Sequence, residues 1–484
     1  MSGAGITPVP LLIADDEHGA YRTSVLNPIR SNHSTARQHS HRQITLTTTT
    51  FDVAEKQNRL RATLYRPVAI YLHVPFCHHR CSYCDFNIYA GMKSLVVPYV
   101  EAVAEEIAVK AAQVGRVRVP SIYIGGGTPS LLPVELIDRL LTAVRTYCEV
   151  DPEAEVTLEA NPSDVHADYF AQLRSLGVNR ISLGVQSSHV DELHLLRRGH
   201  SFQDAIETVE AARQAGFDNV NLDLIYGLPD QLIEKWRATL ERVIALQPDH
   251  ISAYSLQVED RTAMLRWVQN GRVPEPDDDE VATMYELTQE LLAQAGFEHY
   301  EISNWARSST TRRAHPERNT VESKDARRSA HAVPAKRRRA GWNANLPNVS
   351  RHNLVYWRNE PYLGFGCGAH SSFEGRRYSN VLHPRDYIQR IQHKEAAVIE
   401  VEQIDGALEM GETLMLGLRL IAEGVERARF ADRFGMELDD VYSATITQLI
   451  EQGLLESDAS RIRLTSRGRL LGNRVFGAFL PGVS

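Results

Sequence analysis

The chain's most distinctive chemistry lies in three cysteines within eight residues, in Tyr71-Leu72-His73-Val74-Pro75-Phe76-Cys77-His78-His79-Arg80-Cys81-Ser82-Tyr83-Cys84-Asp85-Phe86. Thiolates spaced by three and then two residues can wrap one corner of an iron–sulfur cube. Cys77, Cys81 and Cys84 would ligate three irons of a 4Fe-4S cluster and leave the fourth open, unlike the four-cysteine clusters of electron carriers. The amino and carboxylate groups of S-adenosylmethionine can chelate such an open iron. An electron from the cluster can then cleave the sulfonium and give a 5′-deoxyadenosyl radical. The alternative is zinc, which wants four ligands that nearby histidines could complete, although this triplet is poor zinc-finger spacing. Cys148 and Cys367 stand alone and read as small buried apolar residues.

Other residues could build a ligand groove beside the cysteines. Gly125-Gly126-Gly127-Thr128-Pro129 follows a strand pattern, where glycines let backbone approach a ligand closely and Thr128 adds a hydroxyl. Taken alone, this run is equally well a tight turn. Glu159 and Gln186 each end a strand pattern, and Asp223 sits inside an apolar one. A carboxylate there is costly to bury unless paired or ligand-bound. Each could singly be a satisfied core group; several near one sheet edge favour a groove.

These groups need strands that end together. Apolar, β-branched runs at 70–74, 121–124, 155–158, 180–185, 219–225 and 250–256 alternate with helical patterns such as 99–113, 133–147, 204–215 and 233–246. That alternation predicts a parallel α/β sheet buried on both faces. Six units suit an open, partial (β/α)6 barrel, with a flat doubly wound sheet as the rival. The cysteine loop leaves the first strand at its C-terminal end, where barrels carry their chemistry.

The expected organisation is a disordered extension over 1–62, the barrel over 63–303, a basic insertion over 304–348, a region closing the barrel over 349–400, and a C-terminal α+β unit over 401–484. The insertion is most biased at 307–340 and ends Lys336-Arg337-Arg338-Arg339-Ala340. It reads as a solvated loop, with a nucleic-acid or membrane-surface arm as the alternative. The last unit has a helix, helix, hairpin, helix order like a winged helix, but it is not notably basic. A formal net charge of -8 gives no whole-chain attraction to nucleic acid or anionic lipid. No apolar run approaches a membrane span. The start lacks the basic region of a secretory signal, which leads to the expectation of a cytoplasmic protein.

From Tyr71 to the C-terminus, apart from the insertion, the sequence resembles the radical S-adenosylmethionine superfamily, and within it the oxygen-independent coproporphyrinogen oxidase-like group. The coproporphyrinogen dehydrogenases of that group carry a further cysteine two places after the third cluster cysteine; here that place is Phe86. The Cys84-Asp85-Phe86 form is similar to the haem chaperone branch, HemW, which also shows a His-Asn-x-x-Tyr-Trp motif. Here the motif reads His352-Asn353-Leu354-Val355-Tyr356-Trp357.

The resemblance implies a haem chaperone that binds a 4Fe-4S cluster and S-adenosylmethionine and passes haem to an unknown acceptor. It implies Tyr71 and Tyr83 beside the S-adenosylmethionine, and Gly126, Gly127 and Thr128 at its methionine part. Glu159, Gln186, Arg198 and Asp223 would complete the nucleoside pocket and any second cofactor-like site. His352 would be the axial haem ligand, with His370 a weaker rival. An electron donor such as flavodoxin or ferredoxin, and peripheral contact with a membrane haem protein, are further expectations. The alternative is oxidative decarboxylation of coproporphyrinogen III.

Overall fold

The computed structural model describes residues 12–14, 21–23, 67–308 and 346–482. The apolar runs become strands covered on both faces. β1 (Ala69–Val74) is buried at every position. β2 (Arg118–Gly126), β3 (Glu149–Ala160), β4 (Arg180–Gln186), β5 (Val220–Tyr226) and β6 (His250–Ser255) follow. The crossovers carry α1 (Val96–Val114), α2 (Val134–Tyr147), α3 (Ala167–Ser175), α4 (Phe202–Gln214) and α5 (Ile233–Ala245). α1 shows the helical logic: Tyr99, Val100, Val103, Ala104 and Ile107 form one buried stripe. A capping box between Ser201 and Asp204 sets the start of α4.

Each strand from β2 to β6 pairs in parallel with its predecessor. A doubly wound sheet reverses its strand order part-way. This one does not, and it is the expected open (β/α)6 barrel. Alternate residues of its strands face two environments. Ile181, Leu183 and Val185 join the core under the helices, while Arg180, Ser182, Gly184 and Gln186 face the barrel interior.

The sheet continues beyond the six strands. After α6 (Asp278–Gln294), β7 (Phe297–Glu301) and β8 (Asn304–Arg307) form a hairpin whose second strand lies antiparallel on β6. α7 (Arg351–Trp357) precedes β9 (Tyr362–Phe365), which pairs in parallel with β1. β10 (His370–Phe373), β11 (Arg376–Asn380) and β12 (Val398–Gln403) extend it antiparallel.

Three expectations are corrected here. The 349–400 region does not close the barrel; β9–β12 lengthen the sheet, whose ends β7 and β12 do not pair with each other. The insertion does not begin at 304, because Asn304–Arg307 is held in the sheet between β6 and β7, and Arg307 lies over the Phe297 ring. Its basic part falls on 309–345, outside the described residues. The 1–62 extension holds an antiparallel ribbon of Leu12–Ala14 with Tyr21–Thr23; its other residues lie outside the described ones.

The C-terminal unit has its own core, including Leu414, Phe430, Ile446, Ile462 and Phe476. α8 (Gly406–Gly417) leads into β13 (Val425–Glu426), α9 (Arg427–Phe434) and α10 (Leu438–Glu451). The hairpin of β14 (Leu455–Ser457) and β15 (Arg461–Leu464) completes a three-stranded sheet, and a short helix over Ser466–Leu470 follows. This is the expected winged-helix-like order.

Candidate functional site

A cavity of about 210 Å³ opens at the C-terminal ends of the barrel strands. Cys77, Cys81 and Cys84 line one wall. Strands β2 to β6 supply Gly126, Glu159, Gln186, Asp223 and Tyr254, all but the mid-strand Asp223 at or next to their C-terminal ends. The cysteine loop is held from two sides. Gly127 N donates to Val74 O (2.7 Å) and Thr128 N to Phe76 O (2.8 Å). A side chain on Gly127 would stand 2.6 Å from Phe76 O, so only glycine permits this approach. On the other side, Ser82 Oγ donates to Leu195 O (2.6 Å). Arg80 donates to Cys84 O (3.1 Å) and Ile88 O (3.0 Å) from within the loop.

The donor set fits an iron–sulfur cluster. Burial pushes the Cys77 thiol up to about 11 and the Cys84 thiol to about 12, so their thiolates require nearby positive charge. Iron supplies such charge. Arg198 adds more, with Nη1 donating to Cys81 Sγ (3.6 Å). Thr128 Oγ1 donates to Cys77 Sγ (3.4 Å). Among the described residues no group of three or more His, Cys, Asp or Glu converges as a single metal ion requires. All five cysteines are free, and Cys148 and Cys367 are buried in the core as expected.

The structure brings together most of the groove residues. Glu159 accepts from Tyr123 Oη (2.7 Å) and Gly126 N (2.9 Å). Burial raises its carboxyl to about 7 despite those bonds. Asp223 is likewise raised by burial, while Asn221 and Ser182 donate to it at 2.8 and 2.9 Å. Gln186 has φ +66°, a conformation that costs a non-glycine residue energy. The register shifts between Gly184 and Gln186, and the Gln186 side chain lines the cavity. Arg198, not Arg197, enters the site, where it donates to Gly184 O (2.8 Å). Arg197 is exposed, its guanidinium over the Trp267 ring. Tyr83 lines the cavity, and burial raises its hydroxyl. The amides of Gly126, Gly127 and Thr128 are engaged within the protein.

Two expected residues lie elsewhere. Tyr71 does not line the cavity. It lies level with Tyr123 and beside its ring, and its hydroxyl meets His73 Nδ1 at 3.0 Å. His352 is carried by α7 at the opposite end of the barrel, with its ring stacked 5.1 Å from that of the cavity-lining Tyr123. Nδ1 meets Ser121 Oγ (3.1 Å) and Nε2 meets Tyr356 Oη (3.0 Å), and burial lowers the imidazole to about 3. Arg180 and His250 begin their strands, and Ser121, in the first half of β2, lies level with Glu155, so α7 caps that end. Glu155 accepts from the amides of Arg351 (3.1 Å) and His352 (3.0 Å).

Sequence reasoning missed Tyr123, Asn161, Ser182 and Tyr254, all of which line the cavity. A signal existed: polar residues recur at every second place in otherwise apolar strands, as in Asn221 and Asp223 or His250, Ser252 and Tyr254.

Comparison with known proteins agrees with this geometry. The radical SAM superfamily model matches residues 71–243, and the HemN C-terminal domain model matches 407–471. The chain is 35% identical to "Heme chaperone HemW" of Bacillus subtilis, over 85% of this chain and 98% of that protein. It is 34% identical to the Escherichia coli protein of the same name, over 86% and 98%. Identity is 30% with the mitochondrial radical S-adenosyl methionine domain-containing protein 1 of Danio rerio, over 85% and 86%. In structure, coproporphyrinogen III oxidase (HemN) from Escherichia coli aligns with TM-score 0.69 and 23% identity, over 88% of this chain and 93% of that one. That likeness bears on the fold. Among the described residues no helix is long and apolar enough to cross a membrane.

Proposed function

The chain belongs to the HemW family of the radical SAM superfamily, and from that premise we propose that it binds haem and delivers it to an acceptor protein. The observation that carries this reading is the likeness to heme chaperones, at about 35% identity along nearly their whole length. The protein carries a 4Fe-4S cluster and S-adenosylmethionine as cofactors. Cys77, Cys81 and Cys84 would hold the cluster. Glu159, Gln186, Arg198 and Asp223, with Tyr83 and the Gly126–Gly127–Thr128 turn, would hold S-adenosylmethionine. Bound there, the pair supplies reductive cleavage of a carbon–sulfur bond. The chain's own part is to place carboxylates for ligand hydroxyl and amino groups, to shield the thiolates with Arg198 and Thr128, and to limit water.

His352 is the proposed axial haem ligand. A neutral imidazole suits iron, and Tyr356 and Trp357 offer flat apolar surface. Because both ring nitrogens are engaged, ligation requires His352 to give up the Tyr356 or Ser121 contact. His370, which begins β10, is the rival ligand. The proposal extends to an electron donor of the flavodoxin or ferredoxin kind, to action in the cytoplasm, where free thiols persist, and to peripheral contact with a membrane haem protein as acceptor.

The test is anaerobic reconstitution followed by haem titration. We expect a Soret band saturating near one haem per chain and a changed spectrum in His352→Ala. An absent Soret shift would sink the proposal. Phe86, in place of the further cysteine, speaks against coproporphyrinogen oxidation. Protoporphyrinogen formed from coproporphyrinogen under reducing conditions would favour that second reading.

A further inference from the structure

A line of hydrogen bonds crosses the barrel from the cofactor cavity to the start of α7. Ser350 N donates to Tyr300 Oη (3.2 Å). Tyr300 Oη lies 2.8 Å from His250 Nε2, and His250 Nδ1 lies 2.6 Å from Asn221 Oδ1. Asn221 Nδ2 donates to Asp223 Oδ1 (2.8 Å). Asp223 lines the cavity, and Ser350 is the N-cap of α7, the helix that bears His352.

The donor inventory fixes the direction of each bond. Asn221 Oδ1 only accepts, so the neutral, buried His250 carries its hydrogen on Nδ1 and its bare Nε2 accepts from Tyr300 Oη. The Tyr300 oxygen in turn accepts from the amide of Ser350. Asn221 donates in turn to a carboxylate. Every bond points toward Asp223, an arrangement in which neighbours polarise one another. Asn221, His250, Tyr300 and Ser350 are all buried, so water cannot substitute for a lost partner. A side branch from Asn221 through Ser182 reaches the other oxygen of Asp223.

We propose that Asn221, His250 and Tyr300 are positioning residues that transmit occupancy of the cavity at Asp223 to the first turn of α7, and so to the release of His352. This rests on the preceding reading of the cavity and of His352. When ligand hydroxyls donate to Asp223, its charge is shared and its pull on Asn221 weakens. Each donor along the line is then less polarised, and Tyr300 holds Ser350 N less firmly. The first turn opens more readily, and His352 leaves Tyr356 and Ser121 at lower cost.

Hydrogen–deuterium exchange over residues 350–357 tests this in the full-length, cluster-reconstituted protein, with and without S-adenosylmethionine. Equilibrium dialysis confirms binding, and haem titration is the second readout. S-adenosylmethionine is expected to speed exchange there about fivefold or more, and to tighten haem by a similar factor. Tyr300→Phe removes only the hydroxyl. It should show fast exchange and tight haem binding without S-adenosylmethionine, and no further change on adding it. A purely structural role predicts no such loss of response.

The proposal is overturned if bound S-adenosylmethionine leaves exchange at 350–357 unchanged in the parent protein, a comparison that needs no variant. It is equally overturned if Tyr300→Phe keeps the full response. If haem binds to no form, the haem reading falls, while exchange still decides the coupling. If dialysis shows no S-adenosylmethionine binding, the cofactor reading and the coupling fall together.

Discussion

The two ends of one barrel are built to opposite rules. At the C-terminal end, part-exposed cysteines, a strained Gln186 and buried carboxylates surround an open cavity. Their costs are left for a ligand to offset. At the N-terminal end, α7 is closed down. The amides of residues 350 to 353 are taken by Tyr300, Glu155 twice and Ser350 Oγ, and both nitrogens of His352 are engaged. One end is preorganised to bind; the other must open first. If His352 is the haem ligand proposed above, its being held shut when empty suits a protein that has to acquire and release its cargo.

Replacing a cluster ligand should separate the ends most sharply. Cys81→Ser is expected to reduce iron and acid-labile sulfide in reconstituted protein to background. Measured without S-adenosylmethionine, haem affinity should change by no more than about twofold, because the coupling proposed above needs an occupied cavity and Cys81 itself does not touch His352. Joint loss of both in that empty state would mean that the cluster itself, and not occupancy of the cavity, controls haem binding. Glu155→Gln strikes the closed end. Weakening the acceptor for two helix amides costs about 1–3 kcal/mol locally. Exchange over 351–357 should accelerate roughly tenfold, with no change at 184–187.

The open end should respond to pH. The Glu159 carboxyl is raised to about 7 by burial, so it takes up a proton as pH falls through 7. With the carboxylate as the binding form, S-adenosylmethionine affinity should therefore fall about tenfold from pH 8 to 6. Calorimetry on Glu159→Gln should show that step removed. The stability effect has the opposite sign. A carboxyl with a raised folded pKa stabilises the fold most at low pH, and this contribution is lost between the ordinary carboxyl range and about 7. The smallest effect belongs to Gln186→Gly. Relief of its left-handed backbone offers about 1 kcal/mol of stability, at the expense of weaker S-adenosylmethionine binding. A melt showing destabilisation would contradict the strain assigned to it.

Much of the open end was legible in the sequence, because strand ends announce themselves. Each apolar run stops where a chemically distinct residue begins, at Cys77, Gly126, Glu159 or Gln186. The closed end was hidden for a physical reason. Its contacts join residues far apart in the chain, such as Ser121 with His352, and depend on strand register. The place of Tyr71 was missed for the same reason: its type suits a ligand, but its hydroxyl is taken by His73 within the barrel. The hairpin strand Asn304–Arg307 was read as insertion because four residues give no durable pattern. Its Arg307 is a strand residue that donates to Pro248 O (3.1 Å) and Ala295 O (3.2 Å). Strands β9–β12 were not foreseen as a lengthened sheet, since β9 and β10 span four residues each and carry no long apolar run.

The separation of two binding ends is tested most directly by titrating haem into cluster-reconstituted protein already saturated with S-adenosylmethionine, and counting both ligands by absorbance and dialysis. The account predicts that one haem binds per chain while S-adenosylmethionine stays bound. Stoichiometric displacement of S-adenosylmethionine by haem would place both in the same cavity and contradict it.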